Sequence, residues 1–466
     1  MREAMCLIVA LVVTWGFVPS AYPAEPIEIG ARLELFVDDF LIGEMTGDAE
    51  QVLHKPEPRE VALVADKPWE GNTSAYYTIF RDGDLYRMYY RGSHFDTKTR
   101  KTAHPEVTCY AESKDGIHWT KPSLGLVEFD GSKENNIVWN GTGTHNFTPF
   151  KDANPACSPD ARYKALAGAS RGYKKGLYAV KSPDAIHWTL MSDEPVITKG
   201  AFDSQNLAFW DPTRKVYADF HRTFEKGVRA IMTCTSPDFL HWTEPVLLEH
   251  PGAPNEHLYT NAIQPYERAP HILLGFPTRF LPKTQQVEPT FMTSRDGRTF
   301  PRWTEALIPV TAPEDRDGNR SNYMTWGLVQ LPGNDREYSV YATEAYYTGP
   351  DSRVRRFTYR VDGFVSVRAP ARGGALVTRP LVFDGKRLVV NFVTRGQGSL
   401  QVELQEADGK PIPQFALADA VALTGDEIAQ TVAWKSGDDV SSLAGRPIRV
   451  RFELKDADVF SFRFGE

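Results

Sequence analysis

The sequence predicts an all-β protein, a five-bladed β-propeller followed by a C-terminal β-sandwich. Three observations carry that expectation. Nearly the same phrase occurs four times: Ser113-Lys-Asp-Gly-Ile-His-Trp119, Ser182-Pro-Asp-Ala-Ile-His-Trp188, Ser236-Pro-Asp-Phe-Leu-His-Trp242 and Ser294-Arg-Asp-Gly-Arg-Thr-Phe-Pro-Arg-Trp303. Its Trp-to-Trp spacings of 69, 54 and 61 residues are too long for a solenoid repeat and suit one four-stranded blade each. Period-2 runs bounded by Gly, Pro, Asn and Asp recur along the chain, while the 3.6-residue period of helices is nearly absent.

Taken in order, residues 1–24 read as a secretory leader: Arg2, an apolar run over 5–18, then Ser20, Ala21 and Ala24. The run is short for a membrane span, and Cys6 lacks a lipoprotein context, so the chain is expected to be secreted or periplasmic with no membrane insertion. Residues 25–372 are assigned to the propeller. Blade one takes strands at 75–80, 85–91 and 107–112, and blade two at 148–152, 162–169 and 177–181. Blade three takes 207–210, 216–221 and 229–235; blade four takes 258–265, 272–277 and 289–293. Strands at 324–331, 337–342 and 354–359, with the turn Arg360-Val-Asp-Gly-Phe-Val-Ser366, make a degenerate fifth copy. The segment Val52-Leu-His-Lys-Pro-Glu-Pro58 resembles the edge strand that follows each Trp, and an N-terminal strand lent to the last blade would close the ring. After Gly373-Gly374 the phrase disappears, and short strands over 381–464 read as a β-sandwich at 375–466.

Each phrase reads as a hairpin in which Asp accepts backbone N–H bonds and Trp fills the gap between blades. Its Asp, Trp and His residues, including His118, His187 and His241, are therefore structural. A net charge of −7 without a polybasic run excludes a nucleic-acid or anionic-membrane partner. Beyond the leader the cysteines are Cys109, Cys157 and Cys234, an odd number with no CxxC spacing, which argues against a disulfide framework or a zinc site. Aromatic residues are 12% of the chain, with 10 Trp, as a β-rich core needs and as sugar stacking would use.

Function belongs on the face where loops enter each innermost strand and leave each second strand. The entering loops carry Trp69-Glu70-Gly-Asn72, His145-Asn146 with Asp152 further on, Asp203-Ser-Gln-Asn206, Asn255-Glu256-His257 and Asp317-Gly-Asn319. The second strands end in Arg91, Arg171, Arg222 and Arg279, with Glu344 at the matching point of the fifth. Arg binds carboxylate, sulfate or phosphate oxygens bidentately, so this rim is either an anion-binding wall or a set of ion pairs with acids such as Glu70, Asp152, Asp203 or Glu256.

The layout over most of residues 30–466 resembles the five-bladed propeller glycoside hydrolases, the invertase, levanase and arabinanase group of glycosyl hydrolase families 32, 43 and 68. Phe150-Lys-Asp152-Ala-Asn-Pro155, followed by Arg162-Tyr163-Lys164, resembles that group's second-blade motif, although two residues separate Asp152 from Pro155. The resemblance implies a carbohydrate substrate and three carboxylates: a nucleophile or base from blade one, a transition-state stabiliser from blade two and an acid from blade three. Here the expectation is Asp152 as stabiliser, with Glu70 and Asp203 sharing the other roles. Asp38 or Asp39 is an alternative for blade one, and blade three offers Asp where the family has Glu. Glu256 and Glu344 stand in reserve; His145, His257 and Tyr259 are candidates for hydroxyl contacts or a proton relay. Arg91, Arg171, Asn206, Arg222 and Arg279 complete the expected binding set. Glycoside hydrolysis needs one carboxyl protonated and one ionised, at a separation that decides retention or inversion.

Two rival readings stay open. The phrase also resembles the Asp box of sialidases, one residue short, and the Arg rim would suit their carboxylated sugar, but five copies count against a six-bladed fold. A carbohydrate-binding propeller without catalysis is the other. No cofactor is expected, and no spacing calls for a metal, although the central channel leaves room for a structural divalent cation.

Overall fold

The computed structural model describes residues 25–168, 172–308 and 322–466. The expected leader, Arg171, Asp317 and Asn319 lie outside them. Among the described residues there is no α-helix, and five antiparallel blades form a ring. Blade 1 is Ala75–Asp82, Leu85–Gly92, Val107–Ser113 and Ile137–Trp139; blade 2 is Asn146–Lys151, Tyr163–Gly168, Leu177–Ser182 and Thr189–Leu190. Blade 3 is Leu207–Asp211, Val216–Glu225, Val228–Ser236 and Val246–Leu247, and blade 4 is Gln264–Tyr266, Ala269–Gly275, Phe291–Ser294 and Arg302–Trp303. Blade 5 is Glu337–Glu344 and Arg353–Arg360, bridged on its inner side by Met324 and Val329. Its outer strand is Glu57–Val64, so an N-terminal strand does close the ring. The closing segment differs from the expected 52–58: Glu50–Leu53 pairs instead with Val365–Ala369. Arg59 Nε, 3.0 Å from Thr358 Oγ1, and Arg356 Nη2, 3.1 Å from Glu60 Oε2, fix the closing strand in register.

The repeated phrase folds alike in its four clear copies, where the Asp accepts the N–H groups two and three residues on. Asp115 Oδ1 accepts the N–H groups of Ile117 and His118 at 2.8 Å, and its Oδ2 lies 2.7 Å from His118 Nδ1. Asp184 and Asp238 repeat this pattern. Partial burial opposes charge on these three carboxyls but is outweighed by the hydrogen bonds, which hold them well below the usual carboxylate range. The residue after each Asp needs positive φ: Gly116 at 71° and Gly297 at 76° supply it without strain, whereas Ala185 at 72° and Phe239 at 70° do not. Phe239 is held there by packing, buried against Phe150, Tyr217 and Trp242. The Trp residues tie neighbouring blades together, Trp119 edge-on to Tyr341 of blade 5 and Trp188 edge-on to Tyr89 of blade 1.

The C-terminal strands form one connected ten-stranded sheet with its own core, including Phe36, Phe392, Phe452 and Phe462. Strands expected as separate pieces merge into two long bent ones, Arg387–Glu406 and Ile448–Gly465, paired across register shifts. Strand pairing also brings Ile27–Gly30, Glu34–Leu35, Ile42–Gly47 and Glu50–Leu53 into this sheet, away from the propeller to which 25–372 were assigned. Buried Asp362 clasps sheet to ring. It stands where the fifth phrase has its Asp, yet it accepts bonds from Tyr266 Oη at 2.5 Å, Asn391 Nδ2 at 3.0 Å and Ser461 Oγ at 2.7 Å.

Candidate functional site

The five inner segments run in the same direction, so their starts gather at one axial mouth and their ends at the other. At the starting mouth lies a cavity of about 280 Å³ to which every blade contributes: Arg91 and Glu106, His145, Asp203 and Arg229, Tyr259 and Phe280, and finally Tyr323, Tyr346 and Tyr347. At the opposite mouth lies an apolar recess of about 600 Å³ lined by Phe80, Phe150, Trp210, Pro265 and Trp326.

His145 is the centre of the polar cavity. Its Nδ1 lies 3.0 Å from both oxygens of Glu106, and its Nε2 lies 3.0 Å from Asp203 Oδ1. Only the imidazolium can donate from both nitrogens. Burial and the adjacent Arg91 oppose that charge, but the bonds to Asp203 and Glu106 outweigh them and raise the His145 pKa above its ordinary 6.5. Burial likewise works against ionised Glu106 and Asp203. The bonds from His145 and the charges of His145 and Arg91, with Arg222 added at Asp203, prevail and hold both carboxyls below their ordinary range. The three differ in access: the Asp203 side chain is 60% exposed, that of Glu106 26% and that of His145 18%.

Arginines surround this triad. Arg91, buried, donates from Nη2 to the Thr73 carbonyl at 2.8 Å and to Tyr346 Oη at 3.0 Å; its Nη1 lies 3.6 Å from Glu106. Its guanidinium sits 4.8 Å above the ring of Tyr76, whose hydroxyl reaches Asp203 Oδ1 at 3.4 Å. Tyr76 takes φ 59° and Tyr347 φ 61°, left-handed conformations that cost bulky residues energy and that cluster at functional sites. Arg222 lies 3.6 Å from Asp203 Oδ2. Arg222 and Arg229 both lie over the Tyr259 ring, at 5.0 and 4.9 Å from its centroid. Arg229 also stacks on Phe280 at 4.6 Å and touches His257 Nδ1 at 3.3 Å, and among the described residues no carboxylate pairs with it.

Of the three carboxylates expected to act together, only Asp203 reaches the cavity. Glu70 is fully buried beside it, accepting Tyr90 Oη at 2.6 Å, Lys121 Nζ at 2.5 Å and the Lys67 N–H at 3.1 Å, which leaves no face for a substrate. Asp152 sits at the far end of its strand, in the apolar mouth, buried against Lys164 and accepting Tyr217 Oη at 2.7 Å. Asp38, one of the alternatives, pairs at 2.8 Å with Arg295 of the blade 4 phrase and does not line the cavity. From the expected binding set Arg91, His145 and Tyr259 line the cavity and Arg222 backs it. Asn206 is an internal brace bonded to Asn146 and to the Phe202 and Ser204 carbonyls. Arg279 and Glu256 pair with each other at 3.1 Å, and Arg302 also holds Glu256. Buried Glu344 accepts Arg353 and Arg355, and His257 accepts the Arg229 N–H.

Sequence reasoning missed Glu106, Arg229, Tyr76 and the Tyr346-Tyr347 pair. Glu106 had a signal, since it closes the loop that leaves the second strand of blade 1, one of the two loop sets singled out. Arg229 lies one strand later than the arginines that were aligned.

No protein-family model matches the chain. Two uncharacterized proteins of Mycobacterium tuberculosis are 28% identical to it over 141 residues, 29% of this chain and 40% of theirs. The chain thus spans about 40% of the length of the curated relatives it matches. Among solved structures it is similar to a glycoside hydrolase at 15% identity, covering 66% of this chain and 92% of that one with a TM-score of 0.45. It is also similar to a β-1,2-mannobiose phosphorylase from Listeria innocua, at 12% identity over 66% and 94% with a TM-score of 0.44. A third similar structure is a Bombyx mori family 32 β-fructofuranosidase, at 9% identity over 89% and 94% with a TM-score of 0.41. Likenesses at this level bear on neither substrate nor mechanism. The five-bladed ring stands on the chain's own strand pairing.

Proposed function

We propose that this protein is a secreted, carbohydrate-active enzyme that hydrolyses a glycosidic bond in an oligo- or polysaccharide carrying carboxylate or sulfate groups. One observation carries the reading: His145 held between the carboxyl groups of Glu106 and Asp203, in a cavity walled by arginines and tyrosines at the mouth where five blades meet. Asp203, ionised and the most open of the three, takes the proton of the attacking water. Hydrogen-bonded to Asp203 at 3.0 Å, His145 serves the same face of the sugar; it passes a proton to the leaving oxygen there and regains one from Asp203, so that the elements of water are added across the broken bond with attack and departure on one face. Glu106 holds the ring in place and keeps it charged. The tyrosines offer ring faces and hydroxyls to sugar. Arg229, stacked on aromatic rings and without a carboxylate partner among the described residues, supports an anionic substituent on the substrate. The apolar run over 5–18 supports secretion.

The test is release of reducing ends from uronate-containing, sulfated and neutral glycans by the full chain and by Asp203→Asn and His145→Ala. Cleavage of an acidic glycan that both variants lose supports the proposal. Saturable binding without cleavage would replace it with a binding propeller, and preference for neutral glycans would overturn the anionic substrate.

A further inference from the structure

Away from the mouth, behind the 199–202 connection between blades 2 and 3, three metal-binding side chains are buried together. Asp219 and His221 stand two residues apart on Val216–Glu225 and so share a face; Cys234 on Val228–Ser236 is the direct cross-strand partner of Asp219. One donor atom from each lies within 4.8 Å of the others. His221 Nδ1 is 2.5 Å and Cys234 Sγ 3.4 Å from Asp219 Oδ2, while His221 Nε2 is 2.9 Å from the Lys199 carbonyl.

An ion pair between Asp219 and His221 explains part of this arrangement and leaves a remainder. The other oxygen, Asp219 Oδ1, is buried with no hydrogen-bond partner, which is costly for a carboxylate. Cys234 Sγ, buried on the neighbouring strand, has only Asp219 Oδ2 within hydrogen-bonding reach among the described residues. A cation would use every group. The far ring nitrogen of His221 already faces a carbonyl, the partner that orients metal-bound imidazoles. Gly200 leaves room for that ring, since a Cβ there would meet His221 Cδ2 at 2.7 Å.

We propose that Asp219, His221 and Cys234 form a buried transition-metal site of the zinc class, with Asp219 binding through both oxygens. Thiolate and imidazole donors select zinc over calcium or magnesium. Bonds of about 2.0–2.3 Å would spread donors that now touch, and binding would release the thiol and Nδ1 protons. The site is independent of the cavity chemistry and locks the second and third strands of blade 3 from behind.

The experiment uses the full chain, stripped with chelator and titrated with Zn²⁺ and with Co²⁺. About one ion per chain should bind, and Co²⁺ should give a thiolate-to-metal charge-transfer band. Cys234→Ser should abolish the band and weaken binding by ~100-fold or more, while Cys157→Ser keeps both. Zn²⁺ should raise the melting temperature of the wild type but not of Cys234→Ser. Absence of a thiolate band in the wild type overturns the site whether or not the variant folds, as does a band that survives Cys234→Ser.

Discussion

The two mouths of the axial channel are built from the two ends of the same strands, yet they differ in almost every physical respect. At the starting mouth two carboxyl groups, an imidazole and three arginines surround a cavity of about 280 Å³; at the finishing mouth aromatic and proline side chains line a recess of about 600 Å³. Each mouth holds an acid singled out from the sequence, Asp203 at one and Asp152 at the other. Asp203 is open and faces His145, whereas Asp152 is sealed against Lys164 and Tyr217. The contrast teaches that an acid on the right strand is a candidate only when it stands at the right end of it.

The largest effect expected is on turnover at the polar mouth. His145→Ala and Asp203→Asn should each lower kcat/KM by ~10²–10⁴-fold. Trp210→Ala in the apolar mouth should leave it unchanged, and steady-state assays on folded protein decide. A comparable loss from Trp210→Ala would break the distinction between the mouths.

At the apolar mouth the corresponding change should cost stability instead. Asp152→Ala strands a buried lysine and should lower unfolding free energy by ~3–5 kcal/mol in denaturant titration, with turnover per folded molecule preserved. Lost turnover at full stability would return Asp152 to the active site. Arg229→Ala should weaken binding of an acidic glycan by ~1.5–3 kcal/mol, leaving neutral glycans unaffected, as calorimetry would show.

The smallest effect is a pH dependence confined to the polar mouth. The folded His145 pKa is raised, so the stability its charge contributes is fully present below 6.5 and lost as pH rises through the raised value. Asp203 and Glu106 are depressed, so their contributions hold above the ordinary values of 3.8 and 4.5 and fade as pH falls through the lowered ones. Activity should fall up to ~10-fold per pH unit on the alkaline side of the raised His145 pKa. His145→Gln should remove that limb, while Asp152→Asn should leave it in place.

Much of the ring was legible because its code is local. Asp-turn chemistry, positive φ at the next residue and an interblade Trp are all specified within seven residues, so four blades could be registered against one another. The fifth was harder, because Asp362 has traded its turn bonds for Tyr266, Asn391 and Ser461. The N-terminal strands were misassigned for a related reason: period-2 alternation marks Glu50–Leu53 and Glu57–Val64 equally as strands, and only their partners separate sheet from ring. Among the candidate site residues, His145, Asp203, Arg91, Arg222 and Tyr259 were singled out from loop and strand-end position, and the fold gathers them at one cavity. Glu70 was misread because an acid beside an inner strand carries no mark of the lysine and tyrosine that bury it.

By itself the sequence determined the repeating blade, the all-β class and the loop sets in which chemistry would lie, since these follow from turn stereochemistry and side-chain alternation over short distances. Only the tertiary structure decided which charges meet. His145 and Asp152 are close in sequence, but the six-residue strand Asn146–Lys151 between them holds them roughly 20 Å apart at about 3.3 Å per residue. His145, Glu106 and Asp203 are distant in sequence and meet within hydrogen-bonding range because ring closure brings three blades to one axis. Charge interactions depend on distance and burial, and neither is written in the order of residues along a strand.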